Sequence, residues 1–233
     1  MKLLGLIGAM SCEIDALRAQ MEGIEEASVA DMHFFKGQLY GREVVLALSG
    51  IGKVHAAMCT QAMICLYHPD LILNLGVAGA LDERLQIGDI VIAKSAVQHD
   101  VDTTAFGDPM GMISGPNIVY IPCDECAQAA LLRAAEKQGL HYQQAVIATG
   151  DQFIEALAKK RSMHEAFGAS ACDMEGGAIA QVAYENRVPY AAYRAISDTL
   201  TGNGQEYSVN AAKAADKGAK LLQAFFDELS FNE

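Results

Sequence analysis

Three carboxylates stand where apolar runs give way to helical patterns: Glu13, Glu175 and Asp198. Carboxylates can hold or move a proton and can face a developing cation. Each also has an ordinary structural reading. Glu13 falls in the first turn of a helix, three residues after Met10, where a capping box with Ser11 nearby would use it. Glu175 opens a helix, where the dipole favours negative charge. Asp198 follows Ala195-Ile196-Ser197 at the end of an apolar strand, the usual place for a helix N-cap.

Other chemistries find less support. Gly50-x-Gly52 opens a helix after a strand, but position 55 is His, so the dinucleotide fingerprint fails. Val54 after Gly52-Lys53 excludes a P-loop. The remaining reading is a tight turn that lets a backbone approach something closely. Cys123-x-x-Cys126 lacks the second pair of ligands that a structural zinc site needs. The six histidines are scattered, and neither H-E-x-x-H nor G-x-S-x-G occurs. His99 sits at a strand end, where a structural hydrogen-bonding role is favoured.

The elements that must position these residues alternate. Strands are expected at 3–7, 33–40, 43–48, 71–75, 89–93, 144–149 and 190–196. Helices are expected at 11–21 with Ser11 as N-cap, and at 54–67, 126–137, 154–167, 174–186 and 207–229. Residues 76–80 read as a glycine-rich turn and 100–120 as a long loop. The alternation predicts an α/β fold of three layers, a mixed, largely parallel central sheet flanked by helices, in a single domain over 1–233. Ligands of such sheets bind beyond the carboxyl ends of strands. That rule selects 8–13, 49–53, 76–80, 149–154, 173–175 and 194–198, and acidic residues occur in four of these six.

Composition bounds the partners. Of 233 residues, 52% are apolar and 20% charged, as in globular proteins. A formal net charge of −12 argues against nucleic acid or an anionic membrane. Apolar stretches reach only about 8 residues, short of the ~20 needed to span a bilayer. Residues 1–10 read as a buried first strand rather than a signal peptide, because Glu13 and Asp15 follow and no small-x-small cleavage site does. Six cysteines in a chain this long are not a disulfide framework, and cytoplasm is the expected compartment.

At this point an ordered set of segments becomes specific. They are Gly8-Ala9-Met10-Ser11-Cys12-Glu13, Ser49-Gly50-Ile51-Gly52-Lys53-Val54, Asn74-Leu75-Gly76-Val77-Ala78-Gly79 and Gly88-Asp89-Ile90-Val91. Thr104-Ala105-Phe106-Gly107, Gly150-Asp151-Gln152-Phe153-Ile154, Asp173-Met174-Glu175 and Arg194-Ala195-Ile196-Ser197-Asp198 follow. In this order, nearly end to end, the chain resembles the 5′-methylthioadenosine/S-adenosylhomocysteine nucleosidases of the purine nucleoside phosphorylase superfamily. The resemblance implies a nucleoside phosphorylase-like fold and hydrolysis of an N-glycosidic bond to adenine, with no metal or organic cofactor. Adenine leaves as a neutral base if N7 is protonated while the ribose gains oxocarbenium character.

By resemblance, Asp198 is the acid at N7, Glu175 grips the ribose hydroxyls and Glu13 activates water. Arg194 helps to hold the water and the carboxylates. Phe153 stacks on adenine, the backbone of Ile154 reads its edge, and Gly79 and Ser197 bring strand ends to the nucleoside. Met174 packs on the sugar, and Met10 and Ile51 line the 5′-thio pocket with Tyr207 as its aromatic wall. Phe106 reaches a neighbouring subunit's pocket, which implies a homodimer. An acid working near neutral pH is expected to be buried against apolar groups once substrate binds.

The chain departs from the family in three places: Asp173 stands where Glu is usual, Val77 where the best-known members have Ser, and 202–208 diverges, so that Tyr207 is the aromatic wall chosen from this sequence itself. All three bear on substrate preference. A phosphorylase is disfavoured because no Arg lies in 8–13 or 74–75 and Glu13 would repel phosphate. A futalosine or aminofutalosine hydrolase, whose substrate carries a different, bulkier 5′ group, stays open. A non-catalytic nucleoside-binding protein would be expected to lose one of the three carboxylates.

Overall fold

The computed structural model describes residues 3–229. Eleven strands form one sheet: β1 (Leu4–Gly8), β2 (Glu22–Val29), β3 (Met32–Leu39), β4 (Arg42–Leu48), β5 (Leu71–Asn74), β6 (Val77–Ala80), β7 (Ile90–Gln98), β8 (Ile121–Pro122), β9 (Tyr142–Thr149), β10 (Ala169–Asp173) and β11 (Tyr190–Asp198). Six helices flank them: α1 (Ser11–Arg18), α2 (Lys53–Tyr67), α3 (Glu125–Lys137), α4 (Leu157–Phe167), α5 (Gly176–Glu185) and α6 (Gly204–Glu228).

The spatial order is β2-β3-β4-β1-β5-β11-β6-β10-β9-β7-β8, with a further pairing of β11 to β7. That extra pairing closes β11, β6, β10, β9 and β7 into a ring. Strand β11 belongs to both halves. Its start pairs in parallel with β5, and its end pairs in parallel with β6. Its middle runs antiparallel to β7. Central strands such as β1, β5 and β11 are buried along their whole length, which explains their unbroken apolar runs.

Two apolar layers sandwich the sheet. One joins Ile14 and Leu17 of α1, Leu131 of α3 and Leu222 and Phe225 of α6. The other joins Cys59 and Met63 of α2 to Ile179 and Ala183 of α5. Met163 and Phe167 of α4 pack with Val97, Val146 and Ala148 in a third cluster.

Several expectations are corrected. Residues 76–80 are not simply a turn: Val77–Ala80 is β6, a short strand in the ring. The small-residue run before Asp173 is β10. Strand β2 had no alternating signal because all its residues are exposed along the sheet edge. Met10, not Ser11, is the N-cap of α1. Helices α4 and α5 begin at Leu157 and Gly176, later than predicted, because 152–154 and 174–175 line the site instead. Asp198 caps no helix; α6 starts at Gly204, where the Asn203 side chain accepts from the N–H groups of Gln205 and Glu206. The 100–120 segment is mostly loop, with a short 3₁₀ turn at Thr104–Phe106. No described helix is long and apolar enough to cross a membrane.

Candidate active site

A cavity of about 280 Å³ opens at the strand ends predicted to hold a ligand. Its wall includes Glu13, Gly79, Phe153, Ile154, Met174 and Glu175. Met10, Ile51, Ser197, Asp198 and Tyr207 also line it. Arg194 and Phe106, the other two predicted site residues, do not.

Glu13 is buried and held by main chain alone. Its Oε2 accepts from the N–H of Ala9 at 2.8 Å and of Met10 at 3.0 Å, and its Oε1 from the N–H of Val77 at 2.9 Å. The capping role anticipated for Glu13 is therefore real, but it also reaches across to β6. A side chain at position 76 would collide with this carboxylate, so Gly76 is required by close approach. Burial raises the Glu13 pKa, against the lowering effect of its backbone donors and Arg194.

Glu175 is the N-cap residue of α5. Its Oε1 accepts from the N–H of Gly52 at 2.8 Å. The glycine turn after β4 thus brings its backbone to a carboxylate, with Gly52 at φ 96°. Burial, followed by the negative charge of Asp173, pushes Glu175 up to about 7.

Asp198 ends β11 and is 2% exposed. A register shift between Ile196 and Asp198 makes Ser197 the extra residue against β6. The Ser197 hydroxyl lies 3.0 Å from Asp198 Oδ1 and 3.1 Å from the Ala78 carbonyl, and its one proton serves one of them at a time. Asp198 is buried beside a charge as well. The ammonium of Lys160 donates to Asp198 Oδ2 at 3.0 Å, with Lys160 itself 0% exposed. A buried carboxylate needs such a partner. Lys160 was missed because Lys159-Lys160-Arg161 looks like a solvated face. The usable signal was its spacing, in one stripe with the buried Met163 and Phe167.

Arg194 lies behind the wall, where it holds a carboxylate, that of Asp173. It donates to Asp173 Oδ2 at 2.5 Å, to the Tyr193 carbonyl at 2.9 Å and to both the carbonyl and side-chain oxygens of Asn74. The other oxygen of Asp173 accepts from the Thr149 hydroxyl at 2.5 Å. Asp173 fits here with a short side chain because Arg194 and Thr149 reach it directly. Asn74 and Thr149 carried no sequence signal beyond their strand-end positions.

The outer wall is soft. Phe153 and Tyr207 meet edge to face, ring centres 5.4 Å apart, and the Tyr207 hydroxyl donates to Met10 Sδ at 3.1 Å. Phe106 stands 87% exposed at the tip of its turn. Cys123 is buried with its thiol pushed up to about 12, while Cys126 is exposed; both are free. No cluster of metal-ligating side chains occurs among the described residues.

An apolar pocket with four convergent carboxylates, at the strand ends of this partly closed sheet, defines an α/β enzyme site for a small molecule. Residues 3–227 match the profile of the phosphorylase superfamily. A 5′-methylthioadenosine/S-adenosylhomocysteine nucleosidase of Staphylococcus carnosus is 40% identical over 220 residues, covering 92% of this chain and 96% of that protein. The nucleosidase of Neisseria meningitidis, solved with methylthio-immucillin-A, superposes with a TM-score of 0.93 at 33% identity over 97% of this chain and 99% of that one. A futalosine hydrolase of Helicobacter pylori gives a TM-score of 0.92 at 35% identity over 98% of each chain. The chain belongs to the phosphorylase superfamily and, within it, to the 5′-methylthioadenosine/S-adenosylhomocysteine nucleosidase family. It is an N-glycosyl hydrolase by class.

Proposed function

We propose that the protein hydrolyses the N-glycosidic bond of 5′-methylthioadenosine, S-adenosylhomocysteine and 5′-deoxyadenosine, releasing adenine. One observation carries this reading: Glu13, Asp173, Glu175 and Asp198 line the cavity, and no lysine, arginine or histidine does among the described residues. Carboxylates favour an oxocarbenium-like ribose and a water nucleophile, whereas phosphate requires cationic or multidentate donors.

Asp198 protonates N7, so that adenine departs as a neutral base. Glu175 grips the ribose hydroxyls at the N-terminus of α5. Glu13, fixed by three backbone donors, accepts a proton from water as it attacks C1′. Burial raises its basicity toward that of a useful general base. Phe153 stacks on the base beside the main chain of Ile154, and Met174 packs on the sugar. Met10, Ile51 and Tyr207 receive the 5′ substituent. Arg194 positions Asp173 rather than substrate.

Phe106 completes the site of a second copy in a homodimer. Support comes from the apolar side chains Ile51, Val54 and Met58, which stand exposed near the start of α2. Lys53 ties that region to the segment leading to Phe106, through its ammonium to Asp100 at 2.7 Å.

The test is adenine release from methylthioadenosine with and without phosphate. Release in phosphate-free buffer, with free methylthioribose as second product, is expected. Release only with phosphate, giving a sugar 1-phosphate, would overturn the reading. Asp198→Asn is expected to keep nucleoside binding, measured by calorimetry, while turnover falls ~10²- to 10⁴-fold. The similarity to a futalosine hydrolase favours adding aminofutalosine to the substrate panel, since only the 5′ group differs.

A further inference from the structure

Lys160 has no place in the chemistry described so far, yet it is among the most completely buried side chains of the molecule. It sits on α4 and is not part of the cavity wall. Its ammonium has three acceptors: Asp198 Oδ2 at 3.0 Å, the Thr199 carbonyl at 2.9 Å and the Gly202 carbonyl at 3.3 Å. All three N–H donors are therefore satisfied, as a buried lysine requires. Two of the acceptors belong to the segment joining β11 to α6, the helix that carries Tyr207. That segment is tied again by Glu206, whose carboxylate accepts from the N–H and hydroxyl of Thr199 at 2.7 and 3.0 Å.

The groups facing Asp198 come from every element around it. β11 gives Ser197, β10 gives Cys172, and β6 gives the bare backbone of Gly79. α1, α5 and α6 bring Glu13, Glu175 and Tyr207 to the same cavity. Lys160 is the one cation in contact with Asp198 among the described residues. Arg194, the other buried cation nearby, is committed to Asp173.

A carboxylate gripped at one oxygen by a buried ammonium keeps one rotamer, and a reacting group must be held in place to work. We propose that Lys160 is a positioning residue for the acid: it clamps one oxygen of Asp198 against the 199–202 segment, leaving the other oxygen to the Ser197 hydroxyl and the base. This rests on the reading of Asp198 as the acid.

The experiment compares kcat and KM for adenine release in the wild type, Lys160→Met and Asp198→Asn. Methionine keeps the length of the side chain and removes its charge. In Lys160→Met kcat is expected to fall ~10-fold or more while KM changes by less than about threefold. An unchanged kcat in Lys160→Met while Asp198→Asn is inactive overturns the proposal and leaves the acid assignment standing. Full activity of Asp198→Asn overturns the acid assignment and this proposal with it. Where Lys160→Met does not fold, the pairing is tested by melting. Asp198→Asn strands a buried ammonium, so adding Lys160→Met to it is expected to raise the Tm. A double variant that melts no higher than Asp198→Asn overturns the proposal.

Discussion

Glu175 shows how one side chain couples stability to activity. Its pKa is pushed up to about 7 by burial first and the neighbouring Asp173 charge second. A carboxylate whose folded pKa is raised stabilises the fold fully below its unfolded pKa, and that contribution is lost as pH rises through the folded value. Glu175→Gln keeps an acceptor for the Gly52 N–H and removes the buried charge. The Tm of this variant is expected to exceed that of the wild type by a few degrees at pH 8, about 1–3 kcal/mol, and to match it near pH 4.5. Scanning calorimetry at the two pH values checks this, and equal melting at pH 8 would refute it. Activity should follow the opposite sign. The carboxylate must be ionised to grip hydroxyls, so kcat/KM of the wild type is expected to fall as pH drops below about 7.

Strand β6 matters more than its four residues suggest. It presents Gly79 to Asp198 so closely that a Cβ would lie 2.9 Å from Oδ2 and 3.3 Å from Oδ1. Lys160 holds the same Oδ2, so the carboxylate has little room to yield. Gly79→Ala is expected to lower kcat/KM by ~10- to 100-fold with only a small change in Tm. Steady-state kinetics beside a melting curve tests this; unchanged kcat/KM would mean that the acid tolerates displacement. The same strand marks the limit of reading from sequence. Its Val-Ala-Gly-Ala composition follows the β5 run so closely that propensity alone reads a turn, and only ring closure makes it a strand. Strand β2 escaped for the opposite reason, being exposed on both faces with nothing to alternate. Strands buried on both faces, such as β1 and β11, were legible because an unbroken apolar run is their physical signature. The strand-end rule then located Glu13, Glu175 and Asp198 correctly in the pocket wall. It could not find Lys160, which approaches from a helix behind the wall, nor show that Arg194 turns away from the cavity.

At the scale of the whole molecule, Phe106, Val54, Ile51 and Met58 are exposed apolar side chains, and Ile51 is also part of the pocket wall. In the proposed homodimer, Phe106→Ala is expected to raise KM several-fold while a dimer persists in sedimentation velocity. A monomeric wild type would remove the basis for that role. The path of β11 has a consequence of another kind. Because it pairs with β5, β6 and β7 at once, it joins the two halves of the sheet, and they cannot separate without releasing it. The amide protons of Tyr193, Ala195 and Ile196 should therefore exchange with solvent only when the entire chain unfolds, whereas those around Phe153 exchange through small local excursions. The carboxylate proposed as the acid is thus expected to ride on a slowly exchanging strand and the rim on a faster segment, so that ligands come and go without disturbing it.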